Sequence, residues 1–303
     1  MARPGILASA EAQNEGQFVA VDWALFLGVS LIWGSSFLLI AEALESLTPG
    51  VITLARVGFG AAVLWAMRLA RPPAKRVSKE DRKRVILLSL IWVAVPFTLF
   101  PLAQEHINSA VTGLLNGATP VFAGVVSAVL VRVVPGGLQR LGIAIGFIGV
   151  VLISLGSAAG GSTEVLGVVL VLAATVCYGF AVNIAPPLQS EYGAVTLMSE
   201  VLGFATIWVL PFGLLSLPNA EFETVPTLAA LVLGVVGTGL AYWIMSNLVG
   251  RVGAVRASFI TYLIPVVSLV LGVALRDDQV TALAIAGSVL TIGGAFIASR
   301  RSR

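Results

Sequence analysis

Arg56 lies deep in the apolar stretch 50–69, and no other basic residue lies as far inside an apolar run. Glu200 occupies a similar depth in the stretch 195–217. A charge held in hydrocarbon is costly, so each is a candidate for binding, gating or coupling. A guanidinium there can fix a carboxylate by charge-assisted hydrogen bonds. A carboxylate there can hold a gate or carry a proton. Two prolines, Pro120 and Pro265, stand in the middle of the stretches 109–131 and 254–275. Proline removes a helical hydrogen bond and clashes with the carbonyl four residues back. Those positions are Asn116 and Thr261. Their side chains either satisfy the freed backbone groups or turn toward a solute. Trp33, Trp92, Trp243, Tyr178, Tyr242 and Tyr262 also sit inside apolar runs. Such rings pack in a core or line a cavity, where their faces attract an ammonium.

From these residues we assign Trp33, Arg56, Trp92, Asn116, Tyr178, Trp243, Thr261 and Tyr262 to a candidate solute site. Pro120, Pro265 and Glu200 are assigned to gates or hinges. Arg56 falls about six residues, or ~9 Å at 1.5 Å per residue, from one end of its stretch. Glu200 falls a similar depth from the other side of a ~30 Å core. The two are then separated by ~11 Å along the membrane normal, too far for a direct salt bridge. Each is expected to serve the gate of its own half or to reach for the nearer interface.

Catalytic chemistry is not legible. His106 is the single histidine, which rules out a His-Glu-x-x-His zinc pair. There is no Gly-x-Ser-x-Gly elbow, no glycine-rich phosphate loop and no paired carboxylate within an apolar run. No enzyme activity, catalytic residue, metal or cofactor is expected. Cys177 is the only cysteine and reads as a small core residue.

The elements that must position these residues are membrane spans. The chain of 303 residues is 58% hydrophobic and 11% charged, against about 25% charged in a soluble domain. About 20 apolar residues in a helix cross the hydrocarbon core. Ten stretches qualify, at 23–42, 50–69, 85–104, 109–131, 138–156, 165–185, 195–217, 227–248, 254–275 and 282–298. With both termini on one side, sixteen of the eighteen Lys and Arg residues fall on that side, including the eight in 68–84. Arg276 alone falls opposite, and Arg56 lies within a span. This bias makes the basic side cytoplasmic, in a bacterial-type inner membrane. The net charge of +3 then reflects topology, and no nucleic-acid partner is expected. Residues 1–21 lack an apolar signal core and read as a cytoplasmic tail.

The chain also repeats itself. At an offset of 145 residues Trp33 falls on Tyr178, Gly34 on Gly179, Pro120 on Pro265, Gly142 on Gly287 and Gly149 on Gly294. One residue of slippage brings Arg56 onto Glu200. Residues 22–160 form the first half, 161–299 the second, and 300–303 a basic cytoplasmic end. Five spans per half is an odd number, so the second half must enter the membrane from the opposite side. The expected fold is all-α, with ten transmembrane helices in two inverted five-helix repeats and a site near the midplane. Gly142, Gly146 and Gly149 form a small-residue face for close helix packing, with homodimerisation as the second reading.

Several short motifs, in this order and spacing, carry a resemblance. They are Trp33-Gly34-Ser35-Ser36-Phe37, Thr48-Pro49-Gly50, Leu54-Ala55-Arg56, Ala118-Thr119-Pro120-Val121-Phe122 and Leu263-Ile264-Pro265-Val266. With ten spans in two halves, the chain over 23–298 resembles the EamA-type family of the drug/metabolite transporter superfamily. That resemblance implies export of small metabolites, with exporters of aromatic and other neutral amino acids prominent. The second half departs from the first, with Tyr178 in place of the tryptophan and Glu200 in place of the arginine.

The expected function is gradient-driven export of small neutral or zwitterionic metabolites, most simply amino acids, by alternating access. A phosphorylated cargo would require several Lys or Arg residues in the cavity, and the spans lack them. The alternative is an exporter or facilitative channel for other hydrophobic small molecules. Proton coupling would fall on Glu200, the only carboxylate expected deep within a span.

Overall fold

A chain segment in hydrocarbon has no water to satisfy its N–H and C=O groups, so these apolar runs must close their hydrogen bonds within helices. The computed structural model describes residues 18–70, 75–131, 135–157 and 162–299. Residues 1–17, the basic residues Arg71 and Arg132 and the end 300–303 lie outside the described residues. Among the described residues there are ten helical spans, in agreement with the sequence to within a few residues at most ends. They are α1 (Ala20–Ala43), α2 (Pro49–Ala70), α3 (Arg82–Gln104), α4 (Ser109–Leu130) and α5 (Gly137–Ser157). The second five are α6 (Glu164–Tyr192), α7 (Ala194–Asn219), α8 (Thr224–Val252), α9 (Ala254–Arg276) and α10 (Ala282–Ser299).

The chain divides into two compact units. The first comprises Met1–Trp33, Glu42–Ala94 and Ile184–Ile260. Its centre is α2, packed against α7 and α8. Thr48 Oγ1 donates to the Ser216 carbonyl at 3.2 Å near one end. Trp65 Nε1 donates to the Ser199 carbonyl at 3.0 Å near the other, so α2 and α7 run antiparallel. Small residues permit this closeness. A Cβ on Gly213 would meet Leu54 Cβ at 2.6 Å, and one on Gly60 would meet Thr238 Cγ2 at 2.6 Å. The segment before α3 is held to the end of α6. There Asp81 Oδ2 accepts from the Tyr192 hydroxyl at 2.7 Å, and Lys75 lies 5.3 Å over the Tyr192 ring. Glu191 hydrogen-bonds Lys75 and raises the basicity of its ammonium above the usual lysine value.

The second unit comprises Gly34–Ala41, Val95–Asn183 and Thr261–Arg303. Its main seam joins α5 to α10 through the glycine face. A Cβ on Gly149 would lie 2.5 Å from the Gly287 carbonyl oxygen, and one on Gly287 would lie 2.6 Å from that of Gly149. Gly142 and Gly294 show the same reciprocal relation at 2.6 Å in each direction. The two helices therefore cross antiparallel. The face formed by Gly142, Gly146 and Gly149 is used inside the chain. α4 packs on α9, where Ser268 Oγ donates to the Ser109 carbonyl at 3.1 Å. Asp278 caps the start of α4, accepting from Ser109 Oγ at 2.6 Å and the Ala110 N–H at 2.8 Å.

Four spans depart from plain α-helix in their interior, and α7 closes in a 3-10 turn at Leu217–Asn219. α3 contains a π-helical turn at Ser89–Ala94, and α8 contains one at Val235–Leu240. The two turns are 146 residues apart, so the repeat extends to a backbone irregularity. α4 is broken into Ser109–Asn116 and Thr119–Val131. Pro120 therefore sits in the first turn of a new helix segment rather than in the middle of a kinked helix. At that position its missing N–H costs nothing. Thr119 Oγ1 donates to the Asn116 carbonyl at 2.8 Å, so the threonine next to the proline makes the repair, not the Asn116 side chain. α9 is likewise split into Ala254–Ala257 and Ile260–Arg276, but Pro265 lies inside the longer piece. The two prolines correspond in sequence and differ in backbone setting.

Candidate functional site

In the first unit, Arg56 is 6% exposed, near the middle of α2. Its Nε donates to Thr238 Oγ1 at 3.4 Å. Thr238 lies on the π-helical turn of α8, and its hydroxyl donates to the Leu233 carbonyl, five residues back, at 3.1 Å. The widened turn presents the threonine to the guanidinium while keeping its own hydrogen satisfied. Tyr242 follows Thr238 by four residues and so shares its face of α8. Its ring stands edge-on between two indoles, 5.6 Å from Trp33 of α1 and 6.3 Å from Trp92 of α3. A buried cation and three electron-rich rings thus converge from α1, α2, α3 and α8. The cation can hold a carboxylate. The ring faces can hold an ammonium or an apolar side chain.

Three of the residues read from sequence, Trp33, Arg56 and Trp92, are brought together here. Tyr242 joins them and was not among the assigned residues. Its neighbour Trp243 was assigned, and is 37% exposed on a different face of α8. Consecutive helical residues point about 100° apart, so the inner face takes one of the pair. The usable signal was the four-residue spacing from Thr238 to Tyr242.

Glu200 lies elsewhere in the same unit. Its Oε1 accepts from Arg68 Nη1 at 2.6 Å. Arg68 also donates to Ser199 Oγ at 3.1 Å, and its guanidinium lies 4.5 Å from the Trp65 ring centre. The bonding partners of both charges lie in the other half. Arg56 of the first half bonds to Thr238 of the second, and Glu200 of the second half bonds to Arg68 of the first. A further carboxylate, Asp22, is 0% exposed at the start of α1, where Arg251 Nε donates to its Oδ1 at 2.5 Å.

The remaining assigned residues, Asn116, Tyr178, Thr261, Tyr262, Pro120 and Pro265, belong to the second unit. Tyr178 packs 5.9 Å from Phe100, which meets Phe37 edge-to-face at 5.5 Å. Tyr262 packs 6.5 Å from Phe296. Among the described residues, Asn116 Oδ1 is buried and has no hydrogen-bond partner, and the same holds for both amide atoms of Gln104 at the end of α3. Orphaned buried amides are rare because each costs the desolvation of a polar group, and they accumulate where function needs them. Nothing in the sequence singles out Gln104, which stands at the polar end of a span. Among the described residues there is no cluster of His, Cys, Asp and Glu suited to a metal.

Known proteins agree with this architecture. A transporter of Archaeoglobus fulgidus, itself described as uncharacterized, is 28% identical over 92% of this chain and 99% of its own. A probable amino-acid metabolite efflux pump of Escherichia coli is 26% identical over 91% of this chain and 94% of its own. A solved crystal structure with 21% identity covers 93% of this chain and 97% of its own with a TM-score of 0.65, which supports the fold. The EamA-like transporter family matches twice, over residues 23–155 and 165–300. Ten apolar spans, two matched halves and relatives aligned along almost their whole length place the chain in the EamA-like transporter family.

Proposed function

We propose that this transporter exports small zwitterionic metabolites, in the first place amino acids, and that Trp33, Arg56, Trp92, Thr238 and Tyr242 bind them. The observation that carries the reading is the buried Arg56 beside the Trp33–Tyr242–Trp92 rings. Arg56 takes the solute carboxylate, and the rings take its ammonium or its side chain. The name of the Escherichia coli relative is in keeping with such a cargo. Within the second unit, Asn116, Thr261, Tyr178 and Tyr262 are proposed as solute contacts of that unit. The α4 break at Pro120 and the α9 segment around Pro265 act as hinges.

In many secondary transporters two pseudo-equivalent halves supply the two states of alternating access. The reciprocal, antiparallel contacts of Gly142 with Gly294 and of Gly149 with Gly287 support an inverted repeat, because a local two-fold axis exchanges each contact with the other. The charge bias supports a bacterial-type inner membrane with both termini in the cytoplasm.

Counterflow in proteoliposomes tests the cargo. Liposomes loaded with one unlabelled amino acid should take up its labelled form saturably for neutral species and weakly for charged ones. Arg56→Gln should raise the KM for amino acids, and decarboxylated analogues should be insensitive to the change. A second reading, export of uncharged hydrophobic solutes, is favoured by the ring-rich composition of the cluster. Under that reading Arg56→Gln leaves transport intact while Tyr242→Ala removes it.

A further inference from the structure

Trp208 stands near the middle of α7, away from the span ends where indoles anchor at interfaces. An indole N–H at that depth has no water to bond, so it needs a protein acceptor. The acceptor is Ser89: Trp208 Nε1 donates to Ser89 Oγ at 3.1 Å. Ser89 is 0% exposed and opens the π-helical turn of α3 at Ser89–Ala94. Its own hydroxyl donates to the Ile86 carbonyl at 2.7 Å. The serine is thus engaged as donor and as acceptor, and both bonds sit at the entry of the turn.

The contact has a counterpart across the repeat. Val63 precedes Trp208 by 145 residues. A Cβ on Gly239, in the π-helical turn of α8, would lie 2.6 Å from Val63 Cβ. Val63 of α2 and Trp208 of α7 therefore each abut the π-helical turn carried by the third span of the other half. Arg56 adds to the α2 contact through Thr238. Within the first unit, one widened turn is held by Arg56 and Val63, and the other by Trp208.

The α3 turn carries Trp92, three residues after Ser89. A π-helical turn takes in one residue more than an α-helical turn. One residue corresponds to about 100° of rotation in an α-helix. The direction of the Trp92 ring therefore depends on where the widened turn begins. With the turn opening at Ser89, the ring meets Tyr242 edge-on at 6.3 Å and 84°. Slipping or losing the turn would swing the indole away from Tyr242.

We propose that Trp208 and Ser89 are positioning residues for the solute rings. Their hydrogen bond fixes the start of the α3 π-helical turn and so aims Trp92 at Tyr242. The proposal rests on the assignment of the Trp33–Tyr242–Trp92 cluster to the solute, and Trp208 and Ser89 act through Trp92 rather than on the solute.

The test labels the full-length protein in detergent with 5-fluorotryptophan. The fluorine resonance of Trp92 is the one lost in Trp92→Phe. Trp208→Phe keeps a ring and removes the N–H, and Ser89→Ala removes the acceptor. Each should shift or broaden the Trp92 resonance. The resonance of Trp65, whose indole bonds to Ser199 in the same unit, should stay in place. In counterflow each variant should raise the amino-acid KM roughly five-fold, the worth of one hydrogen bond between neutral groups. The maximal rate per folded protein should hold. The double variant should be no worse than Ser89→Ala alone, because both substitutions remove the same bond. Trp65→Phe removes an indole hydrogen bond outside the cluster and should leave the Trp92 resonance and KM unchanged. An unmoved Trp92 resonance in Trp208→Phe would overturn the proposal, as would additive effects in the double variant. So would a constant KM in Trp208→Phe when Trp92→Ala raises it. If Trp92→Ala itself leaves KM unchanged, the assignment of the rings to the solute falls instead. The fluorine shift needs no solute, so it still decides whether Trp208 sets the ring.

Discussion

The Arg68 guanidinium donates through Nη1 to Glu200 Oε1 at 2.6 Å and ties the end of α2 to the start of α7. The two side chains are only 11% and 21% exposed, and Trp65 covers the arginine. This is a shielded ion pair between equivalent spans of the two halves, at one end of a helix pair that packs along its length. Its position makes Glu200 a clamp before it is a proton carrier.

Glu200→Ala should destabilise the protein by about 2 kcal/mol, between the values of exposed and buried pairs. Glu200→Gln should cost roughly half of that, because the amide oxygen still accepts from Arg68. Transport driven by a pH gradient should survive in Glu200→Gln once corrected for folded protein. A thermal shift assay gives the first quantity and proteoliposome uptake the second. Loss of the pH-driven component alone, with Tm preserved, would return Glu200 to the role of proton carrier.

Tyr242 stands between the Trp33 and Trp92 rings, while the adjacent Trp243 is 37% exposed. Tyr242→Ala removes two ring contacts worth roughly 0.5–1.5 kcal/mol each. If the bound transition state of transport uses them, the initial counterflow rate should fall about tenfold or more. Trp243→Leu should leave that rate within about twofold, a change of under about 0.5 kcal/mol. The reverse ranking would move the solute to the other face of α8.

These two residues also show what could be read from sequence and what could not. The spans were legible because apolar length and charge placement are set by the bilayer. The repeat was legible because Pro120 with Pro265 and Gly142 with Gly287 keep a constant offset. Depth singles out Arg56, Trp33 and Trp92 in the sequence, and Tyr242 stands between the two indoles in the structure. Helix rotation was not legible, since an all-round apolar helix carries no periodic mark of its inner face. Depth alone therefore does not separate Trp243 from Tyr242. The role of Arg68 was masked by the basic run 68–84, which looks like an interfacial anchor. The π-helical turns at 89–94 and 235–240 have no composition signature, yet one of them sets the Thr238 hydroxyl against Arg56.

The α5–α10 seam makes a stability prediction. A methyl at Gly149 would fall 2.5 Å from a carbonyl oxygen that belongs to backbone and cannot swing aside. Gly149→Ala and Gly287→Ala should each destabilise the fold by about 1–3 kcal/mol. Gly293→Ala, where nothing lies within 4 Å of the added methyl, is the neighbouring control and should be neutral. Size-exclusion profiles and Tm in one detergent compare the three. A neutral Gly149→Ala would mean the two helices are not held this closely in the membrane.

Asn116 should divide stability from function. Its Oδ1 is buried without a partner, and an unsatisfied buried acceptor costs about 1–3 kcal/mol. Asn116→Leu removes that cost at similar volume, so it should leave Tm unchanged or raised. If the amide instead serves the solute, the same substitution should slow counterflow, and the loss should be larger for amino acids than for apolar analogues of the same size. Stability and transport would then move in opposite directions, which a residue kept only for packing does not do. An Asn116→Leu protein with raised Tm and undiminished transport would assign the orphaned oxygen to the fold alone, and the solute site would be confined to the cluster around Arg56.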